Sequence, residues 1–549
     1  MSVTWHRDFV RSFSGLGLLL GTVFLAASLT PSLVPRGAVV QGLLSGLSLS
    51  AGYGLGVVLR AGWRALQLPS PQGHARILLV LVAVAVSAVL AGVAIWKAAV
   101  WQNRLRALME MPPIEAVHPV TVLGVTLAVF LLLVLLVRLV RGTWRRISTR
   151  LARRLPGPQA ALIALATTAL LFWLIGNGVL VKGAMRMFDA TYAALDARFD
   201  EHSPRPVDPF KTGGPGSLIT WESLGRAGRG FVAGEPDAAR ITAMTGGLSK
   251  EPLRVYVGLN SADTPAERAA LALAELIRVG GFERGTLVIA TPTGTGWIDP
   301  EGQTSLEYLM RGDVATVAVQ YSYLASWLAL LADPDYGVET ARAVFAAIYE
   351  HWRALPSDTR PRLFLHGLSL GAFNSDLSHD LHQVIADPYH GAFWTGAPFP
   401  SRTWMTATRG RTADSPYWLP TFRDGSVIRF TAQKNHLDAA TAPWGSYRVV
   451  FLQYASDAIT FYDPRAIWRQ PEWMRSPRGP DVSPDMIWLP VVTFLQLTLD
   501  LMTAVLPPKG FGHVYAFDHY LDAWAALTDA SGWTREELDA LKARVAADR

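Results

Sequence analysis

The segment RLFLHGLSLGAFNSDLSHDLHQVI, residues 362–385, decides the fold of this chain. Its first part, RLFLHG, is a short apolar run typical of a buried strand, and its last part, AFNSDLSHDLHQVI, has the pattern of a helix. Between them lies a GxSxG turn with Ser369 at its centre. A strand, a tight turn and a helix in this order predict a nucleophile elbow, in which a strained backbone exposes the serine hydroxyl and Gly367 and Gly371 prevent clashes of Cβ atoms.

Further apolar, β-branched runs surround this segment, with helical segments at 266–277 and 339–353 between some of them. Because these runs lack clear alternation of polar and apolar residues, we expect a mostly parallel sheet that is covered on both faces. The predicted fold class of this half is α/β. The six further strands are expected at 253–259, 286–292, 315–321, 391–398, 426–432 and 447–455.

A serine nucleophile needs a histidine to accept its proton and a carboxylate to orient that histidine. In this fold they follow the serine, in the order acid and then histidine. Asp457 comes directly after the last strand, where sheet enzymes place their chemistry, and Asp463 is the competing acid. His513 lies in a glycine-flanked loop near the C-terminus, and His519 is the second choice.

Acyl transfer also needs N–H donors for the oxyanion that develops on the substrate. The backbone N–H of Leu370, next to the serine, is one candidate. The other is expected in the loop after the strand at 286–292, at Thr293 or Gly294. The TGTG sequence of that loop lacks the spacing of a nucleotide-binding loop, and no group of His, Asp and Glu has metal-ligand spacing. We therefore expect neither a metal nor another cofactor.

The N-terminal part of the chain is of a different kind. The 549 residues are 50% hydrophobic and only 17% charged, which excludes a disordered or nucleic-acid-coating protein. There is no cysteine for a disulfide or a thiolate nucleophile. Five uncharged apolar stretches have about the 20 residues that cross a bilayer, which predicts a helical transmembrane bundle. These spans are expected at 13–34, 38–59, 77–96, 119–137 and 159–181.

The basic residues predict the orientation of these spans. Residues 1–198 hold 19 Lys and Arg against 5 Asp and Glu, whereas the rest of the chain holds 31 against 39. Twelve arginines lie before the first span and in the second and fourth loops, which should therefore be cytoplasmic. After five crossings everything beyond Lys182 is expected outside the cytoplasmic membrane. The arginine-rich fourth loop fits this topology without a nucleic-acid partner.

The second span carries GxxxG spacings at Gly42 and Gly46 and again at Gly52 and Gly56. Such faces let helices approach closely, either within one chain or in a homo-oligomer. No charged residue lies within the five spans, which disfavours a transporter because an ion or proton path normally needs such groups.

Three regions are predicted, divided by a Pro- and Gly-rich stretch, SPRPVDPFKTGGPGS, at 203–217. They are a multi-span transmembrane domain at 1–198, a linker at 199–217 and a catalytic domain at 218–549. The apolar segment 486–505 is nearly long enough to span, but Asp500 and Pro490 within it favour a buried or interfacial helix, such as a cap over the site. A sixth crossing would put Asp457 and His513 on opposite sides of the bilayer.

Both halves resemble the α/β-hydrolase superfamily and, within it, bacterial membrane proteins with a multi-span N-terminus and a C-terminal hydrolase domain. The segment WESLGRAGRGFVAG, 221–234, is also similar to them. The resemblance implies that Ser369, Asp457 and His513 form the catalytic triad. It also implies, for some relatives, removal of aminoacyl groups from aminoacyl-phosphatidylglycerol in the outer leaflet.

The expected activity is that of a serine esterase or lipase, anchored in the membrane and acting on an ester of a membrane lipid or amphiphile. Anchoring raises the effective concentration of a membrane-bound substrate, a gain that a freely diffusing substrate would not need. Two alternatives remain at this point. One is an acyltransferase that uses the same triad, and the other is a non-catalytic membrane scaffold or sensor.

Overall fold

The computed structural model describes residues 13–69, 72–115, 118–181, 203–323 and 336–548, together with Met187 and Asp196. The basic N-terminal tail, Lys182 and the expected boundary at 198 lie outside the described residues. The chain divides into two compact units. Unit 1 comprises Met1–Arg186, Asp463–Arg475 and Pro480–Thr503, and unit 2 comprises Met187–Tyr462, Ser476–Gly479 and Ala504–Arg549.

Unit 1 is a bundle of helices. In chain order they are α1 (Gly15–Ser28), α2 (Ala38–Ala65), α3 (Gly73–Leu108), α4 (Pro119–Leu151) and α5 (Gly157–Trp173), which continues as a π-helical turn, Leu174–Val181. Most of the apolar side chains of α3 are exposed in the protein alone, including Ile77 and Trp96. A helix that is apolar all round is typical of a membrane span.

Four of these helices are long and apolar enough to cross a membrane: α2, α3, α4 and the segment Gly157–Gly178. The expectation of five spans is therefore corrected at the first one. Within 13–34 the structure has only α1, a helix of 14 residues that begins after the capping hydroxyl of Ser14 and ends at Ser28. At 1.5 Å per residue this helix is about 21 Å long, short of the roughly 30 Å of a hydrocarbon core.

A buried, non-helical segment, residues 29–36, follows α1. An irregular backbone in an apolar setting needs hydrogen-bond partners from elsewhere in the protein. A short helix from the far end of the chain, Val492–Thr503, supplies them within unit 1. The carboxylate of Asp500 accepts from the hydroxyl of Ser32 (2.8 Å) and from the N–H of Leu33 (2.9 Å), and the amide of Gln496 donates to the carbonyl of Thr30 (3.0 Å).

The glycines of α2 allow close helix packing inside the chain. A Cβ atom at Gly42 or Gly46 would lie within 3 Å of a valine of α4. A Cβ atom at Gly52 or Gly56 would lie within 3 Å of the backbone of α1. Both GxxxG spacings are thus used for contacts within unit 1.

Unit 2 contains a parallel sheet of seven strands in the order β1-β3-β2-β4-β5-β7-β6. The expected α/β fold with a mostly parallel sheet is confirmed, and every strand lies at its expected place. The strands are β1 (Leu253–Val257), β2 (Thr286–Thr291), β3 (Val314–Val319), β4 (Arg362–Leu368), β5 (Gly391–Thr395), β6 (Ile428–Thr431) and β7 (Arg448–Leu452).

Helices cover both faces of this sheet. On β4, Phe364 and His366 pack against Trp524 on one face, whereas Leu365 faces Val344 on the other. The linker residues 203–217 contain no helix or strand. After the linker the helices are α6 (Gly225–Ala233), α7 (Ala238–Thr245), α8 (Pro265–Arg278), α9 (Pro300–Leu309), α10 (Tyr336–Ala354), α11 (Leu370–Asp376), α12 (Leu381–Val384), α13 (Arg402–Arg409), α14 (Val492–Thr503, of unit 1), α15 (Phe517–Thr528) and α16 (Arg535–Asp548).

The single helix expected after the GxSxG turn is instead two short helices, α11 and α12. The hydroxyl of Ser378 donates to the carbonyl of Ser375 (2.8 Å), and Asp380 forms a capping box with Gln383 at the start of α12. Ser and Asp compete with helical hydrogen bonds in this way, which ends the first helix after two turns.

Candidate active site

The turn after β4 has the geometry of a nucleophile elbow. Ser369 has φ of +57° and ψ of −127°, a region that a residue with a Cβ rarely adopts. A Cβ at Gly367 would lie 2.3 Å from the backbone of Gly371, and one at Gly371 would lie 2.2 Å from the carbonyl oxygen of Thr291. Both positions therefore need glycine, and the elbow packs tightly against the carboxyl end of β2.

The structure brings Asp457 and His513 together although 56 residues separate them. Nδ1 of His513 lies 2.7 Å from Oδ2 of Asp457, whose side chain is fully buried. Nε2 of His513, the other ring nitrogen, is buried and has no hydrogen-bond partner in the part of the chain that the structure describes. The ring is thus held through one nitrogen, and the other is left to accept a proton.

The loop after β5 joins the histidine to the elbow. The N–H of Ser369 donates to the carbonyl of Thr395 (3.0 Å), at the end of β5. The next residue, Gly396, has φ of +52°, and a Cβ there would lie 2.5 Å from Cε1 of His513. The imidazole therefore packs on the residue that follows the partner of Ser369, at the carboxyl edge of the sheet.

Asp457 is surrounded by donors. Its carboxylate accepts from the N–H of Ile459 (2.8 Å), the hydroxyl of Thr460 (3.2 Å) and the phenol of Tyr515 (2.6 Å), in addition to His513. Burial and the adjacent Asp457 raise the pKa of Tyr515 well above its usual value, so the phenol remains a donor. These bonds satisfy the oxygens of a carboxylate that is buried away from water.

The loop that carries His513 is fixed by backbone contacts. The N–H of His513 donates to the carbonyl of Ala504, and the N–H of Gly512 donates to the hydroxyl of Ser456, beside Asp457. Gly512 has φ of +58°, and a Cβ there would lie 2.6 Å from Pro507, so this position also needs glycine.

The two competing residues have other contacts. Asp463 caps a short 3-10 turn, Pro464–Ile467, and forms an ion pair with Arg465 (2.9 Å). His519 lies on α15 and bonds the phenol of Tyr454 (2.6 Å). Burial, with a smaller effect of Lys542, lowers the pKa of His519 to about 4, so its ring is neutral near pH 7.

The loop after β2, in which the second oxyanion donor is expected, contacts the elbow, since a Cβ at Gly371 would meet the carbonyl oxygens of Thr291 and Pro292. The N–H of Thr293 donates to the carbonyl of Trp297 (3.0 Å), so Thr293 would have to break this bond to act as a donor. Gly294 is the neighbouring candidate in the same loop. Leu370 begins α11, where a backbone N–H has no acceptor within its own helix.

The same loop continues into two acidic residues, Asp299 and Glu301, that motif analysis did not identify. Asp299 is buried and accepts from the N–H of Glu301 (3.0 Å) and from the phenol of Tyr520 (2.9 Å). Burial raises the pKa of Asp299 to about 6. Glu301 pairs with Lys509 (2.6 Å), at the start of the loop that carries His513.

A cavity of about 560 Å³ lies beside this loop within unit 2. Its lining includes Thr295, Trp297 and Ile298 of the loop, and Gly230 and Phe231 of α6. The volume falls in the range of roughly 300–1,000 Å³ that is usual for small-molecule sites.

Among the described residues the structure contains no group of three or more His, Asp and Glu side chains that could hold a metal ion. Tyr515, Asp299 and Lys509 were missed in the sequence because they belong to no motif. Only Tyr515 had a signal that could have found it, its place two residues after His513.

The chain matches two family models that together cover most of its length. A model described as "Alpha/beta-hydrolase family" matches residues 253–541, more than half of the chain. A second, described as "Alpha/beta-hydrolase family N-terminus", matches residues 29–236. No curated protein and no solved structure matches the chain.

Proposed function

From the chain's membership of the α/β-hydrolase family, we propose that it is a membrane-bound serine hydrolase that cleaves a carboxylic ester of a lipid or amphiphile. One observation carries the proposal. The Asp457–His513 hydrogen bond leaves Nε2 of a buried imidazole without a partner, on a residue that packs beside the strained elbow of Ser369. A purely structural histidine at such a buried place would normally use both ring nitrogens.

The proposed reaction begins when Nε2 of His513 takes the proton of the Ser369 hydroxyl and the serine oxygen attacks the ester carbonyl. Asp457 holds the ring in the required tautomer through Nδ1 and stabilises the imidazolium. The N–H of Leu370 and a donor of the Thr293–Gly294 loop bind the oxyanion. The leaving alcohol takes the proton from His513, and water then releases the acyl group by the same steps in reverse order.

The membrane unit supports a substrate that is itself bound to the bilayer. Four helices of spanning length would anchor the chain in the membrane. Anchoring raises the effective concentration of a membrane-bound substrate at the enzyme, but not that of a freely diffusing one. The arginines in the last turns of α2, at the start of α3 and around the end of α4 favour a cytoplasmic position for both loops. With α2 to α5 as four crossings, the chain leaves α5 outside the cytoplasmic membrane. This orientation of unit 2 does not depend on whether the short α1 crosses.

Hydrolysis of defined esters by the detergent-purified full-length protein tests the proposal. The panel contains p-nitrophenyl esters, diacyl phospholipids and aminoacyl-phosphatidylglycerol, which the sequence resemblance makes the first lipid to test. We expect ester cleavage by the wild type and none by Ser369→Ala. A matched control is Ser375→Ala, a buried serine of α11 that binds the indole of Trp394 (3.0 Å).

Labelling of the serine by a fluorophosphonate gives a second reading. We expect rapid labelling of the wild type and of Ser375→Ala, and no labelling of Ser369→Ala. Labelling without hydrolysis, together with acyl transfer to an added alcohol, would identify an acyltransferase. A folded wild type that neither labels nor cleaves would contradict the proposal and favour a scaffold role.

A further inference from the structure

One loop, the loop after β2, contacts the candidate active site at its start and lines the cavity a few residues later. Thr291, at the start of this loop, contacts the elbow at the Gly371 position. Thr295, four residues later, lines the cavity. Four residues span at most about 14 Å even when fully extended. The cavity therefore lies close enough to the elbow to receive a group that is covalently joined to the reacting ester.

The described walls of the cavity are largely apolar. Phe231 and Ile298 are buried, and Trp297 presents an indole that is 42% exposed. Tyr323 adds a further ring to the lining. Aromatic and aliphatic surface of this kind binds hydrocarbon, because a ligand removes apolar area from water without any loss of polar solvation.

The charged groups that line the cavity do not offer a buried charge to a ligand. Arg254 pairs through two nitrogens with Glu307 (2.7 and 2.6 Å) and also donates to the carbonyl of Phe231 in α6. Asp196 accepts from the N–H of Arg226 (2.9 Å), at the start of α6. The side chains of Arg226 and Glu235 are exposed, as at the rim of a pocket.

We propose that this cavity binds the acyl chain of the ester, so that the enzyme prefers an unbranched aliphatic acyl group of medium length to an acetyl or aminoacyl group. The inference rests on the proposed hydrolase function and specifies its substrate class. A short aminoacyl group such as alanyl would leave the cavity empty, and a long cationic one such as lysyl would need a carboxylate in the cavity for its ammonium. The only carboxylates in the described lining are the engaged Asp196 and the exposed Glu235.

Gly230 offers a way to fill the cavity without disturbing the fold. It lies in α6, it is exposed, and a Cβ built there would meet no heavy atom within 4 Å. Its φ is not in the positive range, and replacement of a helical glycine by a larger residue favours the helix. Gly532, on the surface between α15 and α16, is the matched control because a Cβ there also meets nothing within 4 Å.

The experiment compares kcat/KM for p-nitrophenyl acetate, butyrate, hexanoate, octanoate and decanoate, and for an alanyl ester, in the full-length protein. In the wild type we expect a rise of roughly three- to fourfold per added methylene until the cavity is filled, because each buried methylene contributes about 0.8 kcal/mol. In Gly230→Trp we expect octanoate to fall by at least about tenfold with acetate unchanged. Gly532→Trp should keep the wild-type profile.

Three results would overturn the inference while the hydrolase function stands. They are a flat chain-length profile in the wild type, a higher kcat/KM for the alanyl ester than for the octanoate, and an equal effect of Gly230→Trp on every ester. A wild type that cleaves no ester and does not react with a fluorophosphonate would instead remove the proposed function, and with it the premise of the inference.

Discussion

Asp457 in unit 2 and Asp500 in unit 1 are both fully buried, yet their surroundings differ in one respect. Asp457 binds an imidazole that can become charged, together with neutral donors. Asp500 binds the neutral hydroxyl of Ser32 and N–H of Leu33, and its charged neighbour is the guanidinium of the buried Arg36, which is always charged. The comparison teaches that burial alone does not distinguish a candidate catalytic carboxylate from a structural one. What distinguishes Asp457 is its partner His513, an imidazole that can gain a proton and whose second nitrogen has no hydrogen bond among the described residues.

The largest effect is expected from substitution of Asp457, and its absence would contradict this comparison. Asp457→Asn keeps the shape of the side chain but favours the wrong tautomer of His513, so we expect kcat to fall by about 10⁴-fold. Asp500→Asn removes a charge beside the buried Arg36 and alters the hydrogen bonds to Ser32 and Leu33, so we expect it to lower the stability of unit 1 but to keep kcat of the folded protein within about tenfold of the wild type. Steady-state hydrolysis by both variants is the measurement, with circular dichroism to establish folding. Equal losses in the two variants would show that the two carboxylates do not differ in role.

A third buried carboxylate, Asp299, sharpens the comparison because its two donors, Glu301 N–H and the phenol of Tyr520, are neutral. Its pKa is raised by burial from 3.8 to about 6, so the folded state holds a proton that the unfolded state has released between these two values. The free energy of unfolding should therefore decrease as pH rises through this window, by at most about 3 kcal/mol.

Asp299→Asn should remove this contribution, since an amide does not titrate. We expect the variant to gain stability over the wild type as pH rises from about 4 to 7, with the largest difference above pH 6. Urea unfolding at several pH values measures it, and the difference between the two proteins cancels all other titrating groups. A constant difference across the range would mean that Asp299 titrates normally.

The sequence allowed the sheet and the elbow to be predicted, because each depends on local pattern. A β-branched run bounded by turns, as at Thr286–Thr291, needs no knowledge of distant residues. The contacts that were missed join distant parts of the chain. Asp299 and Tyr520 lie 221 residues apart, and Glu301 and Lys509 lie 208 apart.

The wrong length of the first span has a similar cause. Residues 29–36 have the apolar composition of a membrane helix, but their backbone bonds to Asp500 and Gln496 from more than 460 residues away. No pattern within residues 29–36 indicates that their hydrogen-bond partners lie so far away in the sequence. The break between α11 and α12 was more accessible, because Ser378 and Asp380 are residue types that end or begin helices.

A smaller effect, on stability, is expected from the glycines of α2. Two of them, Gly52 and Gly54, differ in how much space surrounds them within unit 1. A Cβ at Gly52 would lie 2.5 Å from the carbonyl oxygen of Leu20, whereas one at Gly54 would meet nothing within 4 Å. We expect Gly52→Ala to destabilise the bundle by about 2 kcal/mol. Gly54→Ala should be neutral or slightly stabilising. Thermal unfolding in detergent compares the two, and equal melting temperatures would contradict the packing of α2 on α1.

The smallest effect concerns the ion pair of Lys509 and Glu301, which joins the loop after β2 to the loop of His513. The side chain of Lys509 is 59% exposed, so salt screens the pair and its contribution to stability is about 0.5 kcal/mol. Lys509→Met should lower kcat a few-fold with KM unchanged, by loosening the position of the imidazole.

Lys250→Met is the control for this variant. Lys250 forms a similar pair with Asp313 and is 57% exposed, but it lies at the amino ends of the strands. The charge-reversed pair Glu301→Lys with Lys509→Glu should recover most of the lost rate if position is what matters. No recovery, or an equal loss in Lys250→Met, would assign the effect to general stability.

The assignment of residues 463–475 and 480–503 to unit 1 has a practical consequence for gene construction. Between Asp457 and His513 the polypeptide leaves unit 2, enters unit 1 and returns to unit 2, so no single cut of the chain separates the two units. A fragment that begins after the linker would carry Asp500 and the apolar face of α14 without Ser32 and Leu33, and we expect it to aggregate. We therefore expect that evolution has neither split the gene between the two units nor exchanged unit 1 for an unrelated membrane segment. The regions that match the two family models, 29–236 and 253–541, should occur together in one chain.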